Sequence, residues 1–166
     1  MTLPILLKFI LGFVAGYLYG HIAEWLMHKY VLHKLGKKAN NLFSFHYREH
    51  HRSSRRNDFY DAVYSPWLVR MDPAGKEAGC LLGIILLHIP VLFLSYGFFF
   101  ALVVSSAEYY YKHRKAHTNI EWAKEKLVWH YDHHMGKIQD ANWGVRSDFA
   151  DKLFGARIYY YKNRML

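Results

Sequence analysis

The stretch AGCLLGIILLHIPVLFLSYGFFFALVVSSAEYYY, Ala78 to Tyr111, decides how the rest of the chain is read. It is almost wholly apolar, and as one helix it would extend about 50 Å, well beyond the ~30 Å hydrocarbon core of a bilayer. Pro90 and the Ser95-Tyr96-Gly97 stretch supply breaks inside it, because proline removes a helical donor and Ser/Gly pairs turn the chain. The segment therefore predicts two short helices forming a membrane hairpin. A hairpin returns to the side it left, so the polar segments before and after it share one face of the membrane.

Working outward, the N-terminal run Leu3 to Leu26 is apolar apart from Lys8, His21 and Glu24. Its length suits one bilayer crossing. Gly12, Gly16 and Gly20 recur every four residues, which puts them on one helix face where a neighbour can pack closely. No basic stretch precedes the run and no A-x-A site closes it, so a retained helix is expected rather than a cleaved signal peptide. The polar segments 34–77 and 112–166 then form a helical cap, and the 166-residue chain reads as a single all-α integral-membrane domain. Lys/Arg-rich stretches (34–56 and 112–126) place the cap on the cytosolic side. Aromatic residues suited to a headgroup layer are scattered through it: Trp67, Trp122, Trp129, Trp143 and Tyr159 to Tyr161. Arg52, Arg55 and Arg56 read as a solvated or headgroup-facing loop.

The chain carries a formal charge of +9 and is 52% apolar. Its single cysteine, Cys80, rules out an internal disulfide or a cysteine-based zinc site. No nucleic-acid-binding module appears, and the apolar blocks argue against one.

Histidine is the outlier, with 12 residues. Ten fall into four groups: His28 and His33 (HKYVLH); His46, His50 and His51 (HYREHH); His113 and His117 (HRKAH); His130, His133 and His134 (HYDHH). Residues three or four apart share a helix face, so His113/His117 and His46/His50 point together. The five-residue spacing of His28 and His33 leaves them roughly 140° apart on an ideal α-helix, which predicts a helix end or distortion near Leu32. Imidazole suits iron, zinc, copper and nickel. Ten such ligands exceed one metal and divide naturally into about five nitrogens for each of two, a surplus that fits a redox or hydrolytic centre better than a closed four-coordinate structural zinc. Histidines scattered as surface hydrogen-bonders would not cluster this way. Glu24, one turn before His28, and Asp132, inside HYDHH, are candidate acceptors that orient imidazoles, with Asn142 and Asp148 as further candidates. His21 and His88 stand apart and read as interfacial and packing residues.

The order HX4H, HX3HH, HX3H, HX2HH, with apolar segments before the first group and between the second and third, resembles the fatty acid hydroxylase superfamily. The tail NWGVRSDFADKLFGA, Asn142 to Ala156, resembles that family's ending. The resemblance implies an integral-membrane diiron oxygenase: two iron ions, replaceable by zinc in purified samples, all ten clustered histidines as ligands, and O2 as co-substrate. It is similar to the fatty-acyl 2-hydroxylase branch through EWLMHKYVLH, and so implies hydroxylation of a lipid drawn from the bilayer. With no H-P-G-G haem motif, electrons are expected from a separate donor such as cytochrome b5 or ferredoxin. The membrane would be the endoplasmic reticulum in a eukaryote or the inner membrane in a bacterium. A sterol or carotenoid hydroxylase or desaturase, and a non-enzymatic metal-binding membrane protein, are the alternative readings.

Overall fold

The computed structural model describes residues 4–66 and 70–160. Leu3, Trp67 and Tyr161, named above, lie outside the described residues. Those described are helical and turn-forming, with no strand among them.

Helix α1 spans Ile5–Leu26, about 33 Å at 1.5 Å per residue. It runs without interruption into a π-wound segment, Met27–Leu35, and among the described residues this composite helix is the one long and apolar enough to cross a bilayer. The distortion expected near Leu32 is thus a change of winding, beginning before His28 and ending at Gly36. There, Gly36 N–H donates to Val31 O, the i→i+5 bond that defines π winding. A second π segment, Phe45–His51, runs into the short α2, Arg52–Arg56, and a single 3-10 turn covers Ala62–Tyr64.

The apolar block folds as a helical hairpin. Helix α3, Pro73–Leu87, starts at Asp72, whose carboxylate accepts from Gly75 N–H at 3.0 Å, with Pro73 in the first turn where its missing donor costs nothing. The chain turns through His88 and the four-residue α4, Ile89–Leu92. It re-enters as α5, Tyr96–Thr118, capped by Ser95. The first break falls at His88, two residues before Pro90, which sits in the first turn of α4, and the second at Ser95, where the sequence puts it.

Helix α5 runs parallel to α1 and packs against it through the glycine face. A Cβ on Gly16 would lie 2.6 Å from Phe98 O, and one on Gly20 would lie 2.8 Å from Ser105 Oγ. The ends of α1 and α5 and the start of α3 therefore meet at one level. On that level sit α6, Ile120–Lys126, α7, Val128–Met135, and α8, Phe149–Leu153. Phe59, Ala116, Ala123 and Leu127 form one apolar core of this layer, and Trp25, Trp143 and Ala150 form another.

Candidate metal centre

All ten clustered histidines are buried, none more than 2% exposed. They converge from four segments into two neighbouring groups. The first is His28, His33, His46, His51 and His133; the second is His50, His113, His117 and His134; within each, one ring nitrogen from every residue lies within 4.8 Å of the others. His130 flanks the second group: its Nε2 is 3.2 Å from His117 Nε2, and its ring centroid is 4.7 Å from that of His134.

Helix winding does the sorting. In a π turn the residue five along closes the turn, as the residue four along does in an α-helix. The pairs His28/His33 and His46/His51 are both five apart on π segments, and both enter the first group. The pairs His113/His117 and His130/His134 are four apart on α5 and α7 and serve the second. His46 and His50, expected to point together, are split between the groups, because the segment that carries them is π-wound. His133 faces the first group while its neighbour His134 faces the second.

Each group is oriented by acceptors behind the rings. In the first, His28 Nδ1–H donates to Trp143 O, and His133 Nδ1–H to Ala141 O at 2.7 Å. In the second, His50 Nδ1–H donates to Asp61 Oδ2 at 2.8 Å, His113 Nδ1–H to Glu77 Oε1 at 2.9 Å and His117 Nδ1–H to Phe59 O at 2.8 Å. A neutral ring that donates through Nδ1 presents a bare lone pair at Nε2. Burial, aided by neighbouring imidazoles, holds His46, His50, His51, His130 and His134 well below the ordinary histidine range. Burial likewise lowers His133 well below that range and His117 to about 3. At neutral pH these rings are uncharged, the form that binds metals.

The donors fit a cation. Nε2 of His33, His51 and His133 form a triangle with edges of 3.0, 3.1 and 3.2 Å. His133 enters it as a lone pair only, so hydrogen bonding cannot satisfy all three edges and one contact stays repulsive. Nitrogens at right angles around a metal with bonds of ~2.1 Å lie about 3.0 Å apart, which is the spacing found. In the second group, Nε2 of His50, His113 and His134 are buried with no hydrogen-bond partner, an arrangement that is costly unless a cation accepts the lone pairs.

The predicted orienting residues act elsewhere. Glu24 does not accept from an imidazole: its carboxylate takes the backbone N–H of Val145 and Arg146 and the Arg146 guanidinium at 2.7 Å. It thereby pins the loop whose Trp143 carbonyl orients His28. Asn142 grips Ile158 through both amide atoms, and Asp148 pairs with Lys152 at 3.0 Å, so neither meets the rings. Asp132, Asn142 and Asp148 all approach Arg157, at 3.0, 3.0 and 3.5 Å, which ties α7 to the C-terminal segment. Asp61 and Glu77, which do meet imidazoles, went unrecognised because both are distant in sequence from the rings they serve. Their only sequence signal is a lone acid beside an apolar stretch.

His21 joins neither group and lies 3.2 Å from Ser147 Oγ; His88 lies 3.1 Å from the Tyr19 hydroxyl and donates to Ile84 O. Arg55, expected in a solvated loop, donates to His134 O at 2.6 Å and Gly136 O at 3.0 Å and so braces the end of α7.

A narrow, almost wholly apolar cavity of about 80 Å³ lies between α1, α3 and α5. Leu81, Ile84 and Leu102 line it together with His28.

No curated protein and no solved structure matches the chain. The family model for fatty acid hydroxylase matches residues 13–156, a span that takes in all four histidine groups and the C-terminal loop behind them. The chain belongs to the fatty acid hydroxylase family.

Proposed function

We propose that the chain is a membrane-embedded diiron oxygenase that hydroxylates a C–H bond of a bilayer lipid, with a fatty-acyl chain as the substrate class. The overall reaction is RH + O2 + 2 electrons + 2 protons giving ROH + H2O, with the electrons from a separate donor. His28, His33, His46, His51 and His133 would hold one iron, and His50, His113, His117, His130 and His134 the other. When bound, the irons supply the O2 activation and oxidising power that an unactivated C–H bond demands.

The protein contributes position and dryness. One observation carries the reading: His28, a member of the first group, lines the apolar cavity. A hydrocarbon chain lying there has a carbon held beside the dimetal pair, and the apolar walls exclude water from it. Asp61, Glu77 and the carbonyls of Phe59, Ala141 and Trp143 keep five rings in the tautomer that presents Nε2 inward.

Membrane embedding is supported by the apolar surface left uncovered. Leu11, Val14 and Leu18 on α1, Leu82, Leu86 and Leu87 on α3, and Phe93 and Leu94 at the hairpin tip are all exposed. In water such a belt would be an aggregation hazard; in a bilayer it is the lipid-facing surface. The hairpin then enters and returns, and the basic cap faces the cytosol by the positive-inside rule. Positive charge on the cap would steer an acidic electron carrier to it.

The test compares lipid profiles of cells expressing wild type and His133→Ala. The expected result is a lipid that gains one oxygen only with wild type. Identical profiles, with iron-loaded wild-type protein in the membrane, would overturn the enzyme reading.

A further inference from the structure

The cavity is apolar along its walls, yet three of the residues that line it carry buried polar atoms with no hydrogen-bond partner. Ser105 Oγ, Tyr109 Oη and both terminal nitrogens of Arg146 line or border the cavity and form no hydrogen bond. All three residues are buried, at 6%, 6% and 2% exposure. Arg146 spends its Nε on Glu24 at 2.7 Å, and its Nη1 stands 3.5 Å from Glu108 Oε2. Buried donors left this way cost free energy unless something accepts from them.

They also converge. A Cβ on Gly20 would lie 2.8 Å from Ser105 Oγ and 3.0 Å from Arg146 Nη2. The glycine therefore lets both groups approach the same point on α1, and Tyr109 sits one turn further along α5 from Ser105.

We infer that this triad, Ser105, Tyr109 and Arg146, is the recognition site for an uncharged oxygen, a hydroxyl or a carbonyl, carried by the lipid substrate. Donors alone would accept a carboxylate too; the local charge decides against it. Arg146 and Lys112 are already balanced by Glu24 and Glu108, with Lys112 Nζ 2.7 Å from Glu108. An anionic ligand would be an unbalanced buried charge, whereas a neutral acceptor satisfies the donors at no such cost. Gly20 lies eight residues before His28 on one continuous helix, about 12 Å along its axis. The oxygen is therefore anchored on the membrane side of the histidines while the hydrocarbon reaches them. The inference rests on the oxygenase reading for the word substrate, but the binding site stands on its own geometry.

The test is the thermal stability of the purified, iron-loaded protein in detergent with four probes of matched chain length: 1-octadecanol, methyl stearate, octadecane and stearate. A ligand that binds only the folded state raises Tm. The alcohol, the ester or both should raise it, with octadecane and stearate having little effect. Ser105→Ala combined with Tyr109→Phe should abolish the rise at unchanged iron content. Should that pair fail to fold, Gly20→Ala, which places a methyl between Ser105 and Arg146, should abolish it as well. Octadecane or stearate stabilising as strongly as the neutral oxygenated probes, or a rise that survives in a folded variant, would overturn the inference. Identical lipid profiles for wild type and His133→Ala would remove the oxygenase reading and leave the Tm result intact; an oxygenated product from wild type without any probe selectivity would remove this inference alone.

Discussion

The two histidine groups are near neighbours built by different means. The first draws two of its pairs from π turns, and its oriented rings lean on backbone carbonyls, those of Trp143 and Ala141. The second draws its pairs from α-helices and leans on two buried carboxylates, Asp61 and Glu77, besides the Phe59 carbonyl. An imidazole whose Nδ1–H meets a carboxylate is a more basic ligand than one that meets a carbonyl. The two histidine groups are therefore inequivalent in electron donation, although the rings of both present nitrogen.

The sharpest way to break the comparison is to change the winding. Deleting Val31 turns the His28/His33 spacing from five to four, which an ordinary α-helix satisfies, so the first group should survive. Deleting Arg114 from the α-helical α5 rotates His113 and all that precedes it by about 100° relative to His117, so His113 cannot keep both Glu77 and its place beside His117. Iron content of the purified proteins checks this: close to wild type for the first deletion, and loss of half or more for the second. Equal losses would show that winding is not what sorts the rings.

A smaller effect should come from Asp61→Asn and Glu77→Gln. Each removes a charge behind one ring of the second group, and loss of such an acceptor typically weakens metal affinity about 10–100-fold. Chelator competition should then show one iron released early and the other at the wild-type concentration. Simultaneous release would make the sites equivalent.

Acid supplies a third measure. Rings held below their ordinary value by burial take up protons only on unfolding, so the unfolded state binds more protons between the folded value, about 3 for His117, and the ordinary 6.5. Stability is therefore complete above about pH 6.5 and declines below it, by up to about 1.4 kcal/mol per pH unit for each such ring. For chelator-treated protein, Tm should fall steadily from pH 7 to pH 5, and a flat profile would contradict the buried neutral state. The smallest effect is expected of Arg55→Ala, which removes the donor to the His134 and Gly136 carbonyls from an exposed side chain; a cost of about 1 kcal/mol, with both irons kept, should be seen by chemical denaturation.

Much of this was legible in the sequence because it is local. The hairpin breaks at His88, just before Pro90, and at Ser95, and Gly12, Gly16 and Gly20 pack against α5 as their spacing implies. The histidine spacings announced convergence, and the awkward His28/His33 interval announced a distortion. The division of the rings was not legible, because it depends on His46, His50 and His51 lying on a π turn that the four-residue His46/His50 spacing disguises as α. The orienting acceptors were missed for another reason. Proximity in sequence suggested Glu24 and Asp132, whereas the tertiary fold supplies Asp61 to His50 and Glu77 to His113.

Trp143 follows His28 by 115 residues, yet its loop, Ala141 to Arg146, holds His28, His133 and Glu24 in place. During synthesis from the N-terminus, α1 and the histidines that follow it are made long before that loop leaves the ribosome. The first histidine group can therefore close only after that loop is made, so a product truncated before Ala141 would lack the carbonyls that orient His28 and His133.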